Sequence, residues 1–486
     1  MYLFRLNLPY IVLTITLFLF FCIPFTMHGL SSDGRLYACF ALDIANHLST
    51  VWQPLSSVWS VSSIFHEHPP LSFYTHSLFI QLFGEGVFVD KFYFFLMGLL
   101  SLFLVTLFWR KRHPQLQHTF LWIPILSWLL TVGTFHPAWE GNIEATLVVF
   151  TTTASLFILN ACVTSDLSKR FAFLLLGSIF IIAGFLTKGI QALFPVTIPI
   201  IYSLTIPSSF ILKKGIQSSL LTTFLAVSLF ALIVFFYPVI LENIIAYFQQ
   251  QIVGTFKGAY GVNIHVPRFI HIFWLIFKNQ ILIIALTLFM YKIIKRESIS
   301  FTNIAWFKNI LLKLRDYPWV CFFLLLALVS SVPVAISPRQ SSRYIAQSFP
   351  FWALFFAEIL TPLFQVHIAA IDLQSTKYKR FIRISFACLA GVVLLGFCCF
   401  GGIFRTNKLI KDTLLLQQVL PRSSIISINK QVDERLIHLL YRYHHVRVSF
   451  EPNHRYYVQR KDETHVPSSE YKPVELPFES ISLFKK

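Results

Sequence analysis

A chain of 486 residues that is 56% hydrophobic, 17% aromatic and only 13% charged cannot present the polar surface that a soluble protein of this size needs. Its formal net charge of +18 would suit a nucleic-acid binder, but the Lys and Arg lie in short loops beside apolar segments, as cytoplasmic loops of membrane proteins do, so no nucleic-acid partner is expected. The seven Cys show no metal-ligand spacing and fall mostly in apolar runs, which argues against a disulfide framework.

Apolar runs recur along the chain, each long enough to cross about 30 Å of hydrocarbon as a helix, whereas barrel strands would alternate. The first, Tyr10 to Met27, has only Arg5 before it and no small-residue cleavage site after it, and reads as a retained span. The second, Phe92 to Trp109, ends in Arg110-Lys111-Arg112-His113, a cluster that belongs in the cytoplasm and sends the loop Ser31 to Lys91 to the opposite side. Further spans are read at Phe120–Phe135, Ile143–Val163, Phe171–Leu186, Ala192–Ile206, Leu220–Ile240, Ile270–Ile294, Trp319–Ile336, Phe349–Phe364 and Ile384–Phe404. With about eleven spans, the remaining basic clusters also fall on the cytoplasmic side.

Inside the first outer loop, Leu36 to Leu48 and Leu71 to Leu82 carry apolar residues at helical spacing and read as interfacial helices, the second approached through the extended Pro69-Pro70. Residues 242–268 make another excursion on the same face. After the last span the chain turns more polar and alternates in Val446-Arg447-Val448-Ser449-Phe450, as a strand would. The expected fold is therefore an all-α polytopic membrane domain over 1–404, with outer loops 30–91 and 242–268, followed by a small extramembrane α/β domain over 405–486.

The candidate chemistry lies on the outer face. Asp33, in Ser31-Ser32-Asp33-Gly34, is either a helix cap or a functional acid. Glu67 stands between His66 and His68, where it can bind a divalent metal or hold a base, although neighbouring side chains of an extended segment diverge and all three cannot share one ion without a bend. Glu144 opens a long apolar helix, either complementing its dipole or doing chemistry. Lys188, Arg339 and Arg343 run against the positive-inside bias, which a bound phosphate or lipid headgroups would explain.

Together these segments resemble the GT-C glycosyltransferases of the aminoarabinose-transferase and protein-mannosyltransferase type. Asp33-Gly34-Arg35-Leu36-Tyr37-Ala38 resembles the family's Asp-Glu-x-Arg-Tyr-Ala, with the Arg one place early, and Glu67-His68-Pro69-Pro70-Leu71 its Glu-Lys-Pro-Pro-Leu, followed by Leu82-Phe83-Gly84. Gly184-Phe185-Leu186-Thr187-Lys188-Gly189 and Pro338-Arg339-Gln340-Ser341-Ser342-Arg343-Tyr344 resemble two later family elements. The resemblance implies inverting transfer of a sugar from a polyprenyl-phosphate carrier to an acceptor outside the cytoplasm, by a protein integral to a bacterial inner membrane with its site facing the periplasm. It implies Asp33 as catalytic acid with Glu144 as a second, Arg35, His68, Lys188, Arg339 and Arg343 toward the donor phosphate, and Glu67 with His265 toward a divalent metal cation. No nucleotide cofactor is expected.

Two positions depart from the family: His68 replaces its Lys and Gly34 its Glu. An envelope glycolipid such as lipid A, or a polysaccharide, is the expected acceptor, with protein as the next. The competing class is a transporter or flippase for a lipid-linked anion, which would place polar groups at mid-membrane in paired halves. A structural envelope-assembly subunit is a third reading.

Overall fold

The computed structural model describes residues 2–59, 63–116, 119–258, 266–294, 316–404, 407–463 and 468–486. Helices dominate it because most of the chain is apolar and, in hydrocarbon, a helix satisfies every backbone N–H and C=O within itself. Among the described residues nine helices are long and apolar enough to cross a membrane.

In chain order the helices of the bundle and its outer loops are α1 (Tyr2–Cys22), α2 (Ser32–Ala45), α3 (Leu71–Phe83), α4 (Val87–Arg112), α5 (Trp122–Leu130), α6 (His136–Glu140), α7 (Glu144–Val163), α8 (Leu167–Lys188) and α9 (Ile198–Thr205). They continue as α10 (Leu212–Phe236), α11 (Val239–Tyr247), α12 (Gly254–Phe256), α13 (Arg268–Ile294), α14 (Pro318–Ser331), α15 (Phe349–Ala369) and α16 (Thr376–Cys399). A short hairpin, β1 (Leu55–Ser56) with β2 (Ser63–Ile64), lies between α2 and α3.

Two of the eleven expected spans are short helices. The run Phe120–Phe135 holds only the nine-residue α5, which gives way at Thr131 to a break containing Gly133. The run Ala192–Ile206 is interrupted at Pro195 and Pro199, giving a 3₁₀ turn over Phe194–Thr197 before the eight-residue α9. The break after α5 survives because α13 satisfies it: Val132 N–H donates to the Asn279 carbonyl at 2.9 Å, and the Thr131 hydroxyl donates to Gln280 Oε1 at 3.1 Å.

Both loop helices form: α2 spans Ser32–Ala45, beginning and ending a few residues before the stretch read from the spacing, and α3 spans Leu71–Phe83. They pack on each other at one end of the bundle. The basic loops fall at the other end, where α4 finishes in Arg110, Lys111 and Arg112 and where α8, α10 and α16 begin. At that end His113 Nε2 meets Glu358 at 3.0 Å and the Arg112 guanidinium lies 5.0 Å from the Trp319 ring.

The last 80 residues hold α17 (Asn407–Val419), β3 (Ile425–Ile428), α18 (Glu434–His444), β4 (Arg447–Ser449), β5 (Tyr456–Arg460), β6 (Lys472–Val474) and β7 (Ile481–Lys485). The strands form one sheet in the order β4-β3-β5-β7-β6, with β3 parallel to β4 and β5, and β7 antiparallel to β5 and β6. The β4 edge is not left open: Val448 N–H donates to the Val58 carbonyl at 3.0 Å, and Trp59 bridges Val448 in parallel, so the first outer loop extends the sheet. One apolar core runs through this contact, joining Cys39, Ala41, Leu42 and Ala45 of α2 to Leu436, Leu439 and Leu440 of α18.

The break after α5 leads to a stability prediction. A Cβ at Gly133 would lie 2.4 Å from the ring of Phe349, which is only 2% exposed, and 2.6 Å from Asn279 Oδ1. Gly133→Ala is expected to destabilise the protein by about 1–3 kcal/mol, measured as an earlier thermal unfolding midpoint of purified protein in detergent.

Candidate active site

The site is built at the start of α2. Ser31 is the helix cap, its Oγ accepting from Gly34 N–H at 3.0 Å, so Asp33 is released from that role and its carboxylate points elsewhere. Ser31 also donates through its backbone N–H (2.9 Å) and its Oγ (2.8 Å) to the Glu140 carbonyl. The loop before α2 is thereby fastened to the loop before α7. Gly34 makes this approach possible: a Cβ there would sit 2.2 Å from the Glu140 carbonyl oxygen and 3.1 Å from Gly141. The backbone packing at this position thus admits no side chain.

Four charged side chains from distant parts of the chain meet beside that junction. Arg343 Nη1 donates to Asp33 Oδ2 at 2.5 Å across 310 residues of sequence. Lys188, at the end of α8, is ion-paired with Glu144, at the start of α7. The pairs differ in access: the Asp33 side chain is 37% exposed and that of Glu144 is 3% exposed. Burying a charge inside a membrane protein is tolerable only with such a partner. Tyr344 lies between the cations, its ring centroid 4.9 Å from Lys188 Nζ and 5.5 Å from the Arg343 guanidinium.

Tyr37, one turn beyond Asp33 on the same face of α2, stands in the field of all these groups. Burial, then the Asp33 and Glu144 carboxylates, hold its phenol well above the ordinary 10.0 against the opposing Arg343, so the hydroxyl keeps its proton. Its ring packs edge-on to His68 at 5.9 Å. Burial, then the Lys188 and Arg343 charges, push the His68 imidazole well below its ordinary 6.5 and leave it neutral. The adjacent Glu67 carboxyl is raised by burial and then by the Asp33 charge, with Arg339 opposing.

His68, Lys188, Arg339 and Tyr344 lie together in the wall of a cavity of about 500 Å³, which Gln191, Gln251 and Gln347 also line. Its remaining wall is largely apolar, from Ile190, Leu193 and Phe194 after α8, from Ile252 and Phe256 around α12, and from Val329, Pro333 and Ile336 around the end of α14. A cavity charged on one side and oily on the other suits an anion attached to a long hydrocarbon.

The structure therefore gathers Asp33, Glu67, His68, Glu144, Lys188, Arg339 and Arg343 around one place. Arg35 is not among them. Two positions along from Asp33, it leaves α2 on the other face, is 2% exposed and donates from Nε (3.0 Å) and Nη2 (2.6 Å) to the Leu30 carbonyl. Its charge is felt instead by His438 of the C-terminal domain. His265 lies outside the described residues. Tyr37 and Tyr344 had no role assigned from sequence, although both stand inside the motifs; an aromatic beside paired charges was the available signal.

Glu67 lies in the field of Arg339, which opposes the rise of its carboxyl. No three His, Cys, Asp or Glu of the described residues converge to hold a metal ion.

No family model matches the sequence, and no curated protein matches it. Solved structures do match. ArnT from Cupriavidus metallidurans aligns over 98% of this chain and 97% of its own, with a TM-score of 0.62 and 12% identity in the apo state, and 0.63 and 13% when bound to undecaprenyl phosphate. The chain has the GT-C fold. The archaeal oligosaccharyltransferase AglB from Archaeoglobus fulgidus, in complex with an inhibitory peptide and a dolichol-phosphate, aligns over 94% of this chain and 70% of its own, with a TM-score of 0.51 and 12% identity. Within the GT-C fold of this chain, the paired charges sit where outer loops and helix ends meet.

Two outcomes follow from this geometry. Gly34→Glu, which restores the acid of the family motif, is expected to destabilise the protein by at least ~2 kcal/mol and to lower any transfer activity, read from thermal unfolding and the cellular glycolipid profile. The second concerns pH. Folding keeps His68 neutral while the unfolded chain protonates it below 6.5, so its share of stability is present above that pH and is lost as pH falls from there toward the lower folded value. His68→Gln is expected to lose less stability than the native chain between about pH 7 and pH 5, on either side of the ordinary imidazole value, measured by thermal unfolding across that range.

Proposed function

We propose that the chain is a GT-C glycosyltransferase that moves a sugar from a polyprenyl-phosphate carrier to an envelope glycolipid or polysaccharide. The single observation that carries this reading is the pairing of an exposed acid, Asp33, with a cation, Arg343, beside a cavity that holds Lys188 and Arg339 and whose exposed surface is otherwise mostly apolar. The undecaprenyl phosphate bound to ArnT and the dolichol-phosphate bound to AglB are ligands of the kind such a cavity would take.

In this reading the carrier phosphate meets Lys188, Arg339 and Arg343, and its hydrocarbon chain lies along the apolar walls. The phosphate competes for Arg343, which frees the Asp33 carboxylate. Asp33 then takes the proton of an acceptor hydroxyl as that oxygen bonds to the anomeric carbon, and the carbon–oxygen bond to the phosphate breaks with its electron pair leaving on the lipid phosphate. A single displacement of this kind inverts the anomeric centre. Glu144, too buried to reach an acceptor, holds Lys188 in place. Tyr37, kept protonated, adds no charge of its own beside Asp33 and packs against His68.

In this reading the reaction takes place on the periplasmic face of a bacterial inner membrane, a side supported by the position of the basic loops at the opposite end of the bundle. The paired charges lie at helix ends and not midway along the long apolar helices, which disfavours a carrier built on alternating access.

Expression of the native chain is expected to yield a sugar-modified glycolipid that is reduced at least ~100-fold by Asp33→Asn at equal protein level, as read by mass spectrometry of extracted lipids. Identical profiles from the two, with a lipid-linked precursor crossing the membrane in both, would overturn the reading in favour of a transporter.

A further inference from the structure

α2 has two buried faces. Tyr37, Phe40 and Ile44 pack with Phe73 and Ile143 on the site side, while Cys39, Ala41, Leu42 and Ala45 belong to the core of the C-terminal domain. The helix that carries Asp33 is therefore a wedge between two bodies, and only one of them is the membrane bundle.

The second body grips it through polar contacts as well. On α18, Tyr441 donates its hydroxyl to Asp43 of α2, which also accepts from Ser57 N–H at 3.0 Å. Cys39 donates to the His438 carbonyl at 3.4 Å. The next residue, Arg442, is 1% exposed and donates from Nη2 to Asp90 Oδ1 at 2.9 Å, where His76 Nε2 meets the same oxygen at 2.9 Å. Tyr443 donates to the other oxygen of Asp90 at 2.9 Å.

From Asp90 the contacts continue to the far side of the site. His76 stacks on Tyr93 at 4.7 Å, and the Tyr93 hydroxyl meets Thr75 Oγ1 and Thr146 Oγ1 at 2.7 Å each. Thr146 is two residues beyond Glu144. One helix of the C-terminal domain thus holds both the segment bearing Asp33 and, through α3 and α4, the segment bearing Glu144. Buried ion pairs such as Arg442–Asp90 contribute little net stability against an apolar substitute, but they fix a geometry.

From this we infer that α18 is part of the catalytic apparatus, with Tyr441 and Arg442 as positioning residues that set Asp33 against Arg343. The inference rests on the reading of Asp33 as the reacting acid, and one arm of its test does not need that reading.

The full chain, purified in detergent, is compared as native, Tyr441→Phe, Arg442→Gln and Arg442→Lys, with Arg460→Gln, at a surface pair with Asp462, as the control. Hydrogen exchange is read at the amides of residues 34–40, undecaprenyl phosphate affinity is read on the same samples, and the glycolipid profile is read in expressing cells. Tyr441→Phe and Arg442→Gln are expected to exchange those amides roughly tenfold faster with α8 unchanged. They are also expected to lower the modified glycolipid by roughly tenfold at equal protein level, with undecaprenyl phosphate affinity within about threefold of native. Arg442→Lys recovers part of both losses, and the control matches the native chain.

Native-like exchange in both variants overturns the inference, as does faster exchange with an unchanged glycolipid yield. If both variants fail to give folded protein, the domain serves folding and not positioning, and the inference falls. A native chain that makes no modified glycolipid would remove the enzyme reading, while the exchange arm would still decide whether α18 sets the order of α2.

Discussion

The Asp33–Arg343 and Glu144–Lys188 pairs are the constraint around which this molecule is arranged. Lone charges at the edge of a hydrocarbon phase are costly, so each must have a partner, and here every partner comes from a distant segment. The start of α2, the start of α7, the end of α8 and the turn before α15 must therefore converge. The backbone makes that convergence tight. Ser31 hydrogen-bonds the Glu140 carbonyl, and Gly34 lets two loops touch where any side chain would collide.

The rest of the site follows from the same arrangement. Bringing the ends of α8 and α14 together with α12 leaves a space that is charged beside Lys188 and Arg339 and oily elsewhere. That combination selects for an amphipathic anion and, in the proposed reading, couples its arrival to the release of Asp33 from Arg343. Tyr37 and Tyr344 fill the gaps between the charges with rings that tolerate both water and cations. The C-terminal domain closes the other side of α2 and extends its sheet with the first outer loop, so it forms one packed unit with the site end of the bundle.

Much of this was legible in the sequence because it is local. Helical spacing marked the interfacial helices to within a few residues, and the apolar runs marked the bundle. Where a run was broken by Pro195 and Pro199, or by the turn at Gly133, hydropathy alone still read a full span, since it counts apolar residues and not backbone hydrogen bonds. The charged residues of the site were found from their motifs and from their cost at a membrane face. What stayed hidden was direction and partnership. Ser31 and not Asp33 caps α2, and Arg35 turns toward the Leu30 carbonyl and the C-terminal domain, because residues two apart on a helix do not share a face. No local pattern shows that Arg442 will find Asp90, 352 residues away.

The most direct test of the account is a cryo-electron microscopy structure of the full chain with undecaprenyl phosphate. The phosphate is expected within hydrogen-bond reach of Lys188 and Arg343, the hydrocarbon along the apolar walls after α8 and α14, and Asp33 parted from Arg343. A phosphate seated elsewhere, with the Asp33–Arg343 pair intact, would contradict it.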